Sequence, residues 1–175
     1  LAPGGLLDGD GDDGSLDLRR HAVLQVGLGL RHLGQCQLAA ALAEPDRPVL
    51  AFTGDGGLLM CLGELATAAA VRTRLVVIVF NDAGLSLIAL KKAGRAVPEE
   101  SLAWVPPGFA DVARSLGCAG VTVETEDAYR AALTTALATD GPTVIDVRID
   151  PTGYPAEMPA ARGWIGGCSS INMCA

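Results

Sequence analysis

Apolar residues in this chain gather into short continuous runs separated by longer stretches rich in helix formers. "PVLAFT" (48–53), "LVVIVF" (75–80) and "PTVIDVRI" (142–149) are apolar at consecutive rather than alternate positions, which suits strands covered on both faces. "GVTV" (120–123) reads as a further short strand. Helices are predicted at the end of "QLAAALAE" (37–44), in "LLMCLGELATAAAVR" (58–72), in "LSLIALKK" (85–92) and in "FADVARSLG", stopped by Gly117. A last one lies in "TEDAYRAALTTALATDG", with Thr125 as N-cap. Alternation of strands and helices predicts an α/β fold: an open, mostly parallel sheet with helices on both faces.

Regular patterning does not extend to the ends. Residues 1–22 are rich in Gly and Asp and read as an irregular acidic leader; residues 23–153 read as one domain, and 154–175 as an irregular tail. The leader's Asp8, Asp10 and Asp12 mimic a calcium loop. However, Asp13 stands where that loop needs Gly and Arg19 where it needs a bidentate Glu. A start at Leu1 suggests a fragment.

Composition narrows the function. Twenty acidic against 13 basic residues leave a net charge of −7, and no basic run exceeds a pair, so nucleic acid is not an expected partner. No apolar run approaches the ~20 residues that span a bilayer, so no membrane partner is expected and a cytoplasmic location is the default. The five cysteines form no CxxC pair and are expected to be reduced packing residues. His21 and His32 have no ligand-type neighbours at metal spacing. Trp104 and Trp164 sit in Pro- and Gly-rich segments suited to loop or partner packing.

Chemistry is expected where two strands end. "GDGG" (54–57) follows one buried run and "NDAG" (81–84) the next. In open parallel sheets, ligands bind beyond the carboxyl ends of strands. One strand–helix–strand unit puts both ends on the same side, so Asp55 and Asp82 can converge. Two carboxylates with a turn carbonyl are oxygen donors for a hard divalent cation. Gly54, Gly56 and Gly57 let backbone approach a ligand closely, and a helix opening near Leu58 offers N–H groups to an anion. Together these residues predict a magnesium-bound diphosphate. Glu64 is expected to be a solvated or locally bonded helix residue, and Ser86 a helix-start residue rather than a nucleophile.

The string "EPDRPVLAFTGDGGLLMCLGELATAAA", followed by "ND", resembles the cofactor motif of thiamine-diphosphate (ThDP) enzymes, with the acetolactate synthase and 2-oxo acid decarboxylase group most similar. The resemblance runs from about Leu30 to Gly153, including "GFADVARSLGCAG" and "GPTVIDVRID". It implies the ThDP-binding fold of the diphosphate-binding domain, with ThDP and Mg2+ as cofactors. Asp55, Asp82 and the backbone oxygen of Gly84 would be metal ligands, Gly54, Gly56 and Gly57 the diphosphate loop, and Leu30 the apolar wedge under the bent cofactor. The family more often has Asn where Asp82 stands. Its Gly, aromatic and Pro-Ala-Ala run is replaced here by "RHLGQCQ" (31–37).

The resemblance further implies decarboxylation of 2-oxo acids and C–C bond formation. The activating Glu would come from a pyrimidine-binding domain on another chain or a missing segment, in a homo-oligomeric full-length enzyme. Any flavin would belong to a central domain. Whether the chain is itself an enzyme is left open. The alternative is an inactive fragment or remnant that at most binds ThDP or a partner.

Overall fold

The computed structural model describes residues 23–26, 33–86 and 105–154, with backbone alone for 23–26 and 33–36. Its elements run β1 (Val23–Val26), α1 (Leu33–Ala43), β2 (Val49–Gly54), α2 (Asp55–Met60), α3 (Gly63–Ala70), β3 (Leu75–Asn81), α4 (Phe109–Ser115), β4 (Ala119–Val123), α5 (Glu126–Ala138) and β5 (Thr143–Arg148). A 3-10 turn, Pro151–Gly153, follows. The acidic leader, Leu30, His21, His32, most of "LSLIALKK", Trp104 and the tail from Pro155 lie outside the described residues.

The strands form one five-stranded sheet in the order β1-β2-β3-β5-β4. Every neighbouring pair is parallel, as the consecutive apolar runs predict. Strand order explains where the helices go. The steps from β1 to β2, β2 to β3 and β3 to β4 all advance across the sheet, so right-handed crossovers put α1 to α4 on one face. The step from β4 to β5 goes back, which sends α5 to the other face. Packing agrees: Val49, Ala51, Leu75, Val77, Val79 and Val144 meet Leu38 of α1, Leu58 of α2, Leu65 of α3 and Phe109 of α4. On the opposite face, Leu50, Val76, Ile78 and Ile145 meet Ala136, Leu133 and Tyr129 of α5.

Helix ends follow their local chemistry. The Thr125 side chain accepts a hydrogen bond from the N–H of Ala128 at 3.3 Å, capping α5 as its sequence predicts. Gly117 takes φ +87° after α4. The following N–H, from Cys118, returns to the carbonyl of Ala113 at 2.9 Å, closing a left-handed C-terminal stop.

Two elements differ from the sequence expectation. β1 was not predicted, since four residues beside a polar leader carry no period of their own; its pairing with β2 defines it. The helix expected to open near Leu58 opens at Asp55 and is broken at Cys61 and Leu62. There the N–H of Cys61 bonds Leu58 and that of Glu64 bonds Cys61, a tighter three-residue pattern. Gly63, a poor helix former, sits at the break. A Cβ at Gly63 would meet nothing within 4 Å. Gly63→Ala is therefore expected to stabilise the fold by about 0.5 kcal/mol through helix propensity and a less flexible unfolded chain. An unchanged or lowered urea midpoint would contradict this.

Candidate functional site

β2 and β3 run side by side, with Gly54 in register with Phe80. Asp55 directly follows Gly54, and Asp82 lies two positions after Phe80. Both therefore emerge from the carboxyl end of the sheet on strands about 4.8 Å apart. Asp55 is the first residue of α2 and only 4% exposed. One of its carboxylate oxygens accepts from the N–H of Gly56 at 2.7 Å. The N–H groups at the start of this helix thus belong to the glycine motif itself, not to the region of Leu58.

The glycines at this turn differ in their reasons. A Cβ on Gly57 would come within 2.6 Å of the Thr53 hydroxyl, which would have to turn away to admit a side chain. Gly54 is exposed and extended, with φ −88° and ψ 168°. A Cβ there would find its nearest neighbour, the carbonyl of Phe80, at 3.9 Å. Neither backbone conformation nor contact within the protein demands glycine at position 54. The position is open, and a bare backbone there fits close approach by a ligand.

Across from it, Asp82 forms a compact turn, its carboxylate accepting from the N–H of Gly84 at 3.1 Å. Ala83 between them is left-handed, with φ 61°, a conformation side chains other than glycine rarely take. Asn81, which precedes them and is 2% exposed, accepts from the N–H of Ala83 at 3.3 Å. It donates to the carboxylate of Asp146 on β5 at 2.9 Å. Neither Asn81 nor Asp146 was singled out from the sequence. A signal was present for Asp146, since a carboxylate inside the apolar run "PTVIDVRI" must be paired or hydrogen-bonded.

No group of three or more His, Cys, Asp or Glu side chains gathers among the described residues. A cation here would rest on the Asp55 and Asp82 carboxylates and the Gly84 carbonyl. Three oxygens of this kind fit magnesium, which keeps its other positions for water and phosphate oxygens. Ser86, the last described residue before position 105, is helical.

Behind the turn lies a cavity of about 30 Å³, lined among others by Gln37, Thr53, Cys61 and Glu64. It has room for water but not for a cofactor. Glu64 is half-buried at its wall rather than fully solvated. Burial, then the charge of Glu64, push the Cys61 thiol up; burial does the same for Cys118. Cys61 donates to the carbonyl of Gly57 and Cys118 to that of Leu65, so both behave as packed, protonated thiols.

Residues 35–147 match the family described as thiamine pyrophosphate enzyme, C-terminal TPP binding domain. The chain is 33% identical over 152 residues to the acetolactate synthase isozyme 1 large subunit of Escherichia coli (strain K12), covering 83% of this chain and 27% of that protein. To the 2-hydroxyacyl-CoA lyase of Arabidopsis thaliana it is 34% identical over 137 residues, covering 72% and 22% respectively. A solved structure, the thiamine diphosphate-dependent 4-hydroxybenzoylformate decarboxylase of Rhodococcus jostii RHA1, matches with a TM-score of 0.61 at 30% identity, over 65% of this chain and 22% of that one. The chain thus spans about a fifth to a quarter of the length of these relatives.

Proposed function

The chain belongs to the thiamine pyrophosphate enzymes as their C-terminal TPP-binding domain, and from that premise we propose that it grips the cofactor's diphosphate through one Mg2+. Asp55, Asp82 and the backbone oxygen of Gly84 supply the protein's ligands, and Gly54, Gly56 and Gly57 the space beside them. Leu30 is assigned the wedge role on the resemblance alone. The observation that carries this reading is the pairing of a buried carboxylate among glycines with a second carboxylate turn on the adjacent strand end.

Bound there, ThDP supplies an electron sink for decarboxylating 2-oxo acids and joining the remaining carbons to an acceptor carbonyl. The chain's own contribution is to hold the charged end still. Asp55 and Asp82 together would leave two negative charges beside a diphosphate, so the cation is needed for charge balance as well as for geometry. The activating Glu is assigned to a pyrimidine-binding domain outside this chain. Calorimetry tests the reading: ThDP is expected to bind the chain with Mg2+ present and to be released by EDTA. No binding at saturating Mg2+ would refute it.

The second reading is a chain that binds cofactor or partner without turnover. Mixing with a pyrimidine-binding domain separates the two readings: 2-oxo acid decarboxylation supports the enzyme, and its absence supports the remnant.

A further inference from the structure

We propose that Asp146 is a positioning residue for the metal-ligand turn, acting through the side-chain amide of Asn81; the inference rests on the metal reading above. β3 and β5 pair with Val79 opposite Asp146 and Asn81 opposite Arg148. Alternation along the strands therefore brings Asn81, Asp146 and Arg148 to one face of the sheet, at its carboxyl end. Asp146 is 0% and Asn81 2% exposed, so neither can exchange its partners for bulk water.

An amide side chain has two orientations, and its neighbours choose between them. A carboxylate only accepts hydrogen bonds when ionised, so Asp146 requires the Asn81 NH2 to face it, as it does at 2.9 Å. The amide oxygen must then face the other way, where it accepts from the N–H of Ala83. With the amide reversed, oxygen would meet carboxylate and NH2 would meet N–H, a repulsion at both ends. The left-handed conformation of Ala83 is thereby held from outside the turn, and with it the spacing of Asp82 and Gly84. The backbone adds a second hold, because the N–H of Ile149 bonds the carbonyl of Asn81 at 3.1 Å. Arg148 stands 3.1 Å from the other Asp146 oxygen and offsets its buried charge.

Three variants of the full chain separate positioning from general stability. Asp146→Leu removes the acceptor, Asp146→Asn keeps an acceptor oxygen without the charge, and Val144→Ala removes only packing from the same face of β5. Amide exchange at Ala83 and Gly84 is expected to quicken by about tenfold in Asp146→Leu, the effect of losing one buried hydrogen-bond partner. The Mg2+ concentration for half-maximal ThDP binding should rise by about the same factor. Asp146→Asn should stay close to the parent in both, and Val144→Ala should move neither. If Asp146→Leu does not fold, Asn81→Ala carries the same expectation. Parental exchange and Mg2+ dependence in Asp146→Leu, or equal shifts in Val144→Ala, would overturn the proposal. Should the parent show no Mg2+-dependent binding, the metal reading fails, while quickened exchange would still support Asp146 as the residue that orders the turn.

Discussion

Replacing Asp55 by alanine is expected to abolish Mg2+-dependent binding of ThDP while leaving the sheet folded. Asp55 is a buried carboxylate beside a bare glycine backbone, at the end of a strand whose neighbour presents Asp82. Residues that merely orient metal ligands are worth about 10–100-fold in affinity, so loss of a direct carboxylate ligand is expected to exceed about 100-fold. The carboxylate's bond to the Gly56 N–H is local, and a lost hydrogen bond of this kind costs about 1 kcal/mol. Asp82→Asn is the complement: an amide oxygen replaces a carboxylate oxygen, and binding should weaken by less than about tenfold, below one charge-assisted contact. Calorimetric titrations at several Mg2+ concentrations distinguish these outcomes. Parental binding by Asp55→Ala would remove Asp55 from the site, and severe loss in Asp82→Asn would show that charge, not oxygen, is what position 82 contributes.

The largest expected effect on stability lies away from the site, at Gly120 in β4. A Cβ there would come within 2.3 Å of the Ala110 carbonyl oxygen and 2.9 Å of the Ala110 Cα. The obstacle is backbone, and α4 is anchored beneath it by Phe109 and Ala113, both 0% exposed. No rotamer change relieves such a clash, so helix and strand must separate. Overpacking of this kind costs about 1–3 kcal/mol, and Gly120→Ala is expected near the upper end. Urea unfolding measures it directly. A loss below about 0.5 kcal/mol, the range of ordinary surface substitutions, would mean that α4 shifts freely on the sheet.

Much of this fold is readable along the chain because its signals are local. Consecutive β-branched residues in "LVVIVF" mark a strand covered on both sides whatever its neighbours are. Thr125 before Glu126 and Asp127 marks a helix start, and Gly117 a stop, since capping is decided within a few residues. β1 escapes such reading because nothing within four residues separates it from loop; only the edge of β2 makes it a strand. The break at Cys61 was equally hidden. The run around it is composed of good helix formers, and Gly63 alone does not say whether a helix will bend or continue.

The site divides in the same way. Asp55, Asp82 and the glycines stood out because residue type and position at strand ends are properties of the sequence. That a Cβ would meet the Thr53 hydroxyl at Gly57 but only the Phe80 carbonyl, at 3.9 Å, at Gly54 was not available there, because it depends on neighbours brought close by folding. Nor was the link from Asp146 through Asn81 to Ala83, which joins positions on strands that become neighbours only when β5 inserts between β3 and β4. Alone, the sequence determined the parallel α/β class, the two carboxylate turns and the oxygen chemistry they offer, since periodicity and side-chain type suffice for these. Tertiary structure decided strand order, the face each helix covers and the orientation of the Asn81 amide, because each depends on contacts between residues far apart in the chain.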